Sequence, residues 1–407
     1  MTIFCHCRSK KMTSDVIAST STASTSRRTT KSDQSNRNSS TFISTDSNSY
    51  NKDSWKSSVS SQTSLSSLRD SLPENPHVYD FKEIFTATNR FLSAKHSSSS
   101  SSAAWRCTIR GDDVIVFQRK LRRPINESEL RERLLVICKS HHSSLIKLRG
   151  ASMSGCYIYL VYDFVKGVSL ADGLKNPRNP NFTVISDWMS RIKIAADLAH
   201  GLDYIHNSTG FEKKFVHNHI KTTSIIVTNS SIMNAKICHF GTAELCGESD
   251  SITEQDSSGL KVKFTKFEGT RGYMSPEFQS TGIPTQKSDV YAFGVVILEI
   301  LSGEEPLKYR KENGNYVRIS LIETAREAED GGGVRRWMDK KLKDSFPVEV
   351  VEKLVKLGME CVEEDPNKRP DMSVVAGRVS KLYLESKYWM EQMRPLPADF
   401  TVSMAPR

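Results

Sequence analysis

The sequence lacks any stretch of about 18 apolar residues, the length that a membrane-spanning helix needs. Val290–Leu301 comes nearest and Glu299 interrupts it, so the expectation is a chain that is soluble or held at a surface. No secretory leader is expected either, because Met1–Met12 contains no apolar run of the right length. The eight cysteines (Cys5, Cys7, Cys107, Cys138, Cys156, Cys238, Cys246 and Cys361) follow no zinc spacing and are too sparse for a disulfide scaffold. They read as reduced, mostly buried thiols of a cytoplasmic protein. Apolar residues are scarce, at 37% of 407, which implies that part of the chain does not fold. The net charge of +10 is spread out, with ten Lys and Arg facing five Asp and Glu in the first 72 residues. No stripe of Lys and Arg interleaved with aromatics stands out, so nucleic acid is not an expected partner.

What is present divides the chain into three parts. Residues 1–77 form a basic tail whose stretch Thr13–Leu72 is dominated by Ser, Thr, Asn and Asp. It has too little apolar surface to offset its ordering entropy and is expected to be disordered. Order should begin near Val78 and run to Tyr388, leaving 389–407 as a second tail. Within 78–388, Phe81–Asn89 has a helical pattern and Val114–Phe117 reads as a strand. Glu127–Lys139 reads as a helix capped by Asn126. Leu145–Leu148 and Tyr157–Phe164 read as further strands, followed by helices over Trp188–His206, Val290–Leu301, Glu349–Val362 and Met372–Tyr388. A strand-rich part of about 78–163 before a helical part of about 164–388 predicts an α+β fold with two segregated lobes.

Four segments, in order, carry a resemblance. They are Trp188-Met-Ser-Arg191 continuing to Gly201-Leu-Asp-Tyr-Ile-His206, then Gly269-Thr-Arg-Gly-Tyr-Met-Ser-Pro-Glu277, then Lys287-Ser-Asp-Val-Tyr-Ala-Phe-Gly294, and the turn from Cys361 to Pro370. Each is weak alone, but together they resemble plant receptor-like protein kinases and their cytoplasmic relatives, the interleukin-receptor-associated and Pelle-like group, and most of all the LysM receptor kinases. The resemblance implies a two-lobed kinase fold, a Glu277–Arg369 pair within the helical lobe, and Asp289 bracing the catalytic loop from below. It also implies that Ile137, His217 and Phe240 stack into an apolar spine between the lobes.

The same alignment of motifs implies that the chemistry is gone. Phosphoryl transfer needs a glycine lid, a strand lysine held by a helix glutamate, a catalytic aspartate, and an aspartate and asparagine that hold magnesium. The lid glycines fall on Ser97, Ser99 and Ser102, within six consecutive serines. Serine disfavours the positive φ angles and close phosphate approach that glycine permits. The strand lysine falls on Phe117; Lys120 points to the opposite face, and Arg119 keeps the face but lies about 7 Å further along. The helix glutamate falls on Arg133, with Glu132 about 100° around the helix. The catalytic loop His217-Asn-His-Ile-Lys-Thr-Thr-Ser224 places His219 at the base position, Ser224 at the magnesium asparagine, and Lys221 as the last polar remnant. The metal aspartate of the Asp-Phe-Gly motif becomes His239, before Phe240 and Gly241. Magnesium prefers hard oxygen ligands to imidazole nitrogen.

The expectation is therefore a pseudokinase, a scaffold or regulator of partner protein kinases or receptor kinases in signalling, with binding of ATP and magnesium weak or absent. An atypical active Ser/Thr kinase using ATP is the second reading. A third places a transition metal between His219 and His239 beside Cys238, against the plainer reading that two polar side chains fill the space of two aspartates; no metal is expected. Cys5 and Cys7, next to Arg8, Lys10 and Lys11, offer a peripheral contact with the cytoplasmic face of a membrane if acylated.

Overall fold

The first half of the protein supplies strand β1 (His77–Val78), helix α1 (Phe81–Ala87), strands β2 (Ser97–Ser98), β3 (Ala103–Ile109) and β4 (Asp112–Lys120), helix α2 (Glu127–Cys138), and strands β5 (Leu148–Ser154) and β6 (Tyr157–Asp163). The structure is a computed structural model and describes residues 76–98, 103–175, 185–208, 215–228, 233–248, 269–312 and 314–393. Outside these lie most of the two expected tails, with Cys5 and Cys7, and the lid positions Ser99 and Ser102. The strands form one sheet in the order β1-β5-β6-β4-β3-β2, parallel at β1–β5 and antiparallel elsewhere.

Strand β4 is buried on both faces, and this fixes the lobe. Val114 and Val116 pack with Ile84 of α1, Tyr159 and Val161, closing one face. Ile115 and Phe117 point the other way, towards α2 and the helical half. Helix α2 starts where the Asn126 side chain accepts a hydrogen bond from the Glu129 amide at 2.8 Å. It buries Leu130, Leu134, Ile137 and Cys138.

The second half continues with β7 (Gly167–Ser169), α3 (Leu170–Leu174), α4 (Trp188–Asn207), β8 (Ile225–Thr228), β9 (Ala235–Ile237), α5 (Thr242–Leu245), α6 (Pro276–Thr281) and α7 (Gln286–Ser302). A ribbon of β10 (Leu307–Glu312) and β11 (Asn315–Ser320) leads to α8 (Leu321–Asp330), α9 (Val334–Trp337), α10 (Val348–Cys361) and α11 (Met372–Gln392). Helix α7 opens with a capping box of Thr285 and Ser288 and is buried along nearly its whole length. Its apolar residues form the axis of the helical lobe, with α10 packed beside it. A β-sheet lobe before a helical lobe is the expected α+β arrangement.

Three expectations need correcting. Leu145–Leu148 is not a strand: Leu145 makes one isolated bridge with Ile237, and the strand starts at Leu148. The apolar run is buried because Ile146 and Ser144 are tied to Ile237 by backbone hydrogen bonds of 3.0 and 2.7 Å. A short buried run does not reveal its conformation by periodicity. Helix α1 stops at Ala87, because Asn89, Arg90 and Phe91 adopt positive φ angles that no helix continues through. The ribbon β10–β11 is absent from the sequence expectations, although Asn313-Gly314 signals a two-residue hairpin turn.

Candidate functional site

The N-lobe wall of the cleft is aromatic. Phe117 sits opposite Leu160 and Ala104 in the sheet. Its ring packs edge-on against His239, with centroids 4.5 Å apart, and against Tyr162 at 5.9 Å. Behind it, the Tyr162 hydroxyl donates to the Phe240 carbonyl at 2.8 Å and lies 3.0 Å from the Thr242 hydroxyl. Phe117, which the motif resemblance sets at the strand-lysine position, is thus enclosed by aromatic and imidazole rings. Arg119 shares its face, and its Nε is buried without a hydrogen-bond partner.

Arg133 does not face Phe117. It pairs with Glu129 one turn earlier on α2, at 2.8 Å, and reaches Glu244 on α5 through both the backbone carbonyl and the carboxylate, the latter at 3.3 Å. Arg133 thus ties α2 to the segment that follows Gly241.

The catalytic-loop region is held from below by Asp289. Its carboxylate accepts hydrogen bonds from the backbone amides of His217 and Asn218 at 2.7 and 2.8 Å, and lies 3.0 Å from His206 Nε2. The His217 Nε2–H donates to the Cys238 carbonyl at 2.9 Å, and burial pulls the His217 pKa down to about 4. Its Nδ1 then accepts from the His219 amide at 3.2 Å. Phe240 is buried near Phe215, at 5.2 Å, and Gly241 adopts φ of +85° beside Ile137. A Cβ added to Gly241 would lie 2.6 Å from Ile137 Cγ2, so the glycine permits the close approach of loop and helix.

His219, His239 and Lys221 are brought together, with Arg119 close by. The rings of His219 and His239 are 6.1 Å apart. His239 is held well below its ordinary pKa by burial, and further by the charges of Arg119, His219, His217 and Lys221. It is therefore neutral at physiological pH, with Nδ1 buried and unpartnered. Lys221 donates to the Thr270 hydroxyl at 3.1 Å, and burial, with the nearby Arg119, lowers its pKa. Ser224 is buried, its carbonyl accepting from the Cys238 amide at 2.9 Å. Among the described residues, no group of three or more His, Cys, Asp or Glu side chains is arranged to hold a metal. Of the lid positions, Ser97 lies on β2, paired with Ala104.

Sequence reasoning missed one residue at the heart of this cluster. Glu248 lies just past α5, accepts a hydrogen bond from Asn218 Nδ2 at 2.7 Å, and places Oε2 3.0 Å from His219 Nε2. The His219 Nε2 makes no well-aligned hydrogen bond, so the two groups stand in close polar contact. Burial alone would raise the Glu248 pKa, but His219, Arg122 and Asn218 outweigh it and hold the carboxyl down at about 2. A carboxylate thus sits beside the base position, but it comes from the segment after His239-Phe240-Gly241 and is turned onto His219.

Two buried ion pairs support the helical lobe. The Arg369 guanidinium is fully buried and donates to both Glu277 oxygens at 2.7 and 2.8 Å. It also donates to the carbonyls of Glu363, Lys287 and Glu364. Arg191, unforeseen from the sequence, is equally buried and donates to Asp339 at 2.5 Å and to the carbonyls of Ile185 and Ile300. An isolated arginine in a helix pattern gives no signal that it will be buried; Asp339 lies 148 residues away.

Comparison with known proteins agrees with this architecture. The protein kinase domain model matches residues 102–378. Among similar proteins, LysM domain receptor-like kinase 3 of Arabidopsis thaliana is 31% identical over 328 residues, covering 78% of this chain and 48% of that protein. Protein LYK5 of the same plant is 29% identical over 341 residues, covering 82% and 47%. The probable L-type lectin-domain containing receptor kinase S.7 is 30% identical over 321 residues, covering 78% and 44%. The chain thus spans about half the length of these curated relatives. No described helix is long and apolar enough to cross a membrane. The chain belongs to the protein kinase domain family, and its homologues are plant receptor-like kinases, LysM kinases among them.

Proposed function

We propose that this protein is a pseudokinase, a folded kinase body that scaffolds or regulates partner receptor kinases on the cytoplasmic side. The observation that carries the reading is the packing of Phe117 on His239 at 4.5 Å. One residue should be the lysine that meets the phosphates and the other the acid that holds magnesium. Here they meet each other, an aromatic ring against a neutral imidazole. The Arg133–Glu244 pair supports the same reading, since it commits α2 to the segment after Gly241.

The test is ligand-dependent stability. Binding at 100 times the dissociation constant would add about 2.7 kcal/mol, which is visible as a melting shift. ATP with magnesium should give no shift at millimolar concentration. A clear, magnesium-dependent shift overturns the proposal.

Glu248 favours a second reading, an atypical active Ser/Thr kinase. A carboxylate against His219 recreates an acid–imidazole pair near the base position. Purified protein that phosphorylates a generic substrate, and loses that activity in Glu248→Gln, would establish it.

A further inference from the structure

The ribbon β10–β11 stands apart from everything the cleft explains. Lys308, Tyr309, Arg310 and Lys311 on one strand, and Asn315, Tyr316, Val317 and Arg318 on the other, are all exposed. Tyr309 retains 59% and Tyr316 74% of its accessible surface. The pairing places Tyr309 opposite Arg318 and Lys311 opposite Tyr316. Residues two apart on a strand share a face. These four side chains therefore form one face in which aromatic and cation alternate along and across the strands.

The ribbon is anchored at its root. The Leu321 amide donates to the Pro306 carbonyl at 3.0 Å. Gly272, at φ of +92°, packs so closely that an added Cβ would lie 2.7 Å from Pro306 Cβ. The ribbon therefore projects from beside the stretch Gly269–Glu277. Among the described residues it is a two-stranded sheet, so its outer edges present strand amides and carbonyls open to pairing.

Charge selects among the occupants. Lys308 pairs with Glu304, and Arg318 lies 4.0 Å from Glu323, at the limit of an ion pair. Lys311 and Arg318 on the aromatic face favour carboxylates. A second copy of this chain would bring the same cations and be repelled. A nucleic acid can meet the cations but cannot complete an open strand edge. A membrane surface would need a continuous apolar face, which two tyrosines and Val317 do not make.

We propose that this ribbon docks an extended, acidic segment of a partner protein, added as a further strand, with its carboxylates against Lys311 and Arg318 and its side chains over Tyr309 and Tyr316. The inference is independent of whether the cleft is catalytic.

The probe is a labelled peptide of alternating Glu and Val, offered to the full chain and followed by fluorescence anisotropy. Binding should be saturable and should weaken as salt rises. The triple variant K311E/Y316S/R318E alters exposed residues only, so its melting temperature should match the wild type while its affinity falls about tenfold or more. The same peptide with alternate backbone nitrogens methylated, which cannot pair as a strand, should bind about tenfold more weakly. Absence of binding, equal binding by the triple variant, or equal binding of the methylated peptide overturns the proposal. So does tighter, ribbon-dependent binding of a single-stranded oligonucleotide or of anionic lipid vesicles, either of which would reassign the surface.

Discussion

Replacing Arg369 by alanine tests the body of this protein separately from the chemistry of its site. The side chain is fully buried and makes five hydrogen bonds, two to Glu277 and one each to the Glu363, Lys287 and Glu364 carbonyls. Without it, among the described residues Glu277 keeps the Ser275 hydroxyl, at 2.7 Å, as its one side-chain donor. Breaking a buried pair typically costs about 3–5 kcal/mol. Glu277 remains 22% exposed, so water can recover part of its solvation and the lower end, about 3 kcal/mol, is expected. In a domain of this size each kcal/mol moves the melting temperature by about 2 °C, giving a fall of about 6 °C. Arg369→Lys should fall between, because a single ammonium cannot serve a forked carboxylate and three carbonyls together. Lys221→Ala is the contrast. It loses one hydrogen bond, to Thr270, and should cost less than about 1 kcal/mol. Urea denaturation measures both, and complementation of a null mutant, with protein levels followed alongside, reads function. A pseudokinase keeps its output in Lys221→Ala and loses it with the folded protein in Arg369→Ala. An Arg369→Ala protein as stable as the wild type refutes the structural argument. An abundant, folded Lys221→Ala protein without function refutes the pseudokinase reading.

Two further outcomes follow from the same side chains and from the tail. The Glu248 carboxyl is depressed from 4.5 to about 2, so its stabilisation is complete above the ordinary carboxylate pKa and is lost as pH falls from 4.5 towards 2. At its largest the contribution is about 3 kcal/mol, and His219→Ala should remove much of it at neutral pH; superimposable stability–pH curves for wild type and His219→Ala would defeat this. Replacing Cys5 and Cys7 together by serine should release the protein from membranes, whereas replacing Arg8, Lys10 and Lys11 should weaken attachment in a salt-dependent way; equal membrane fractions for wild type and the double serine variant would end the acylation idea.

The lobes and their order were legible because their signals are local. Asn126 before a run of Leu and Ile marks the start of α2, and the apolar stretch from Val290 marks the buried helix α7. The pleat of β4 sends Phe117 towards the cleft, a consequence of period two alone. Strand β3 was harder to foresee. Its Ala103, Ala104 and Cys107 are small, and only pairing with β4 reveals it as a strand. The ribbon had its turn signal in Asn313-Gly314, but its strands are rich in Lys and Arg and nearly all exposed, so no apolar alternation announces them.

At the site, motif positions mark which residues depart from the resembling family but not what those residues touch. Arg133 read as a lost glutamate; in three dimensions it is the donor of a latch to Glu244, 111 residues on. Glu248 carried no motif at all, being one of several acids in a polar stretch, and only the fold brings it to His219 and Asn218. These two contacts share a direction. Arg133 holds the segment 242–248 from α2, and Asn218 and His219 hold it from the catalytic-loop side. The Thr242 hydroxyl beside Tyr162 fixes its start. Arg133 divides its charge between Glu129 on α2 and Glu244 in the segment, and His219 faces Glu248 in the segment. Under the proposed pseudokinase reading these contacts gain a purpose: they fasten the segment, and a body held in one shape suits recognition by partners better than turnover.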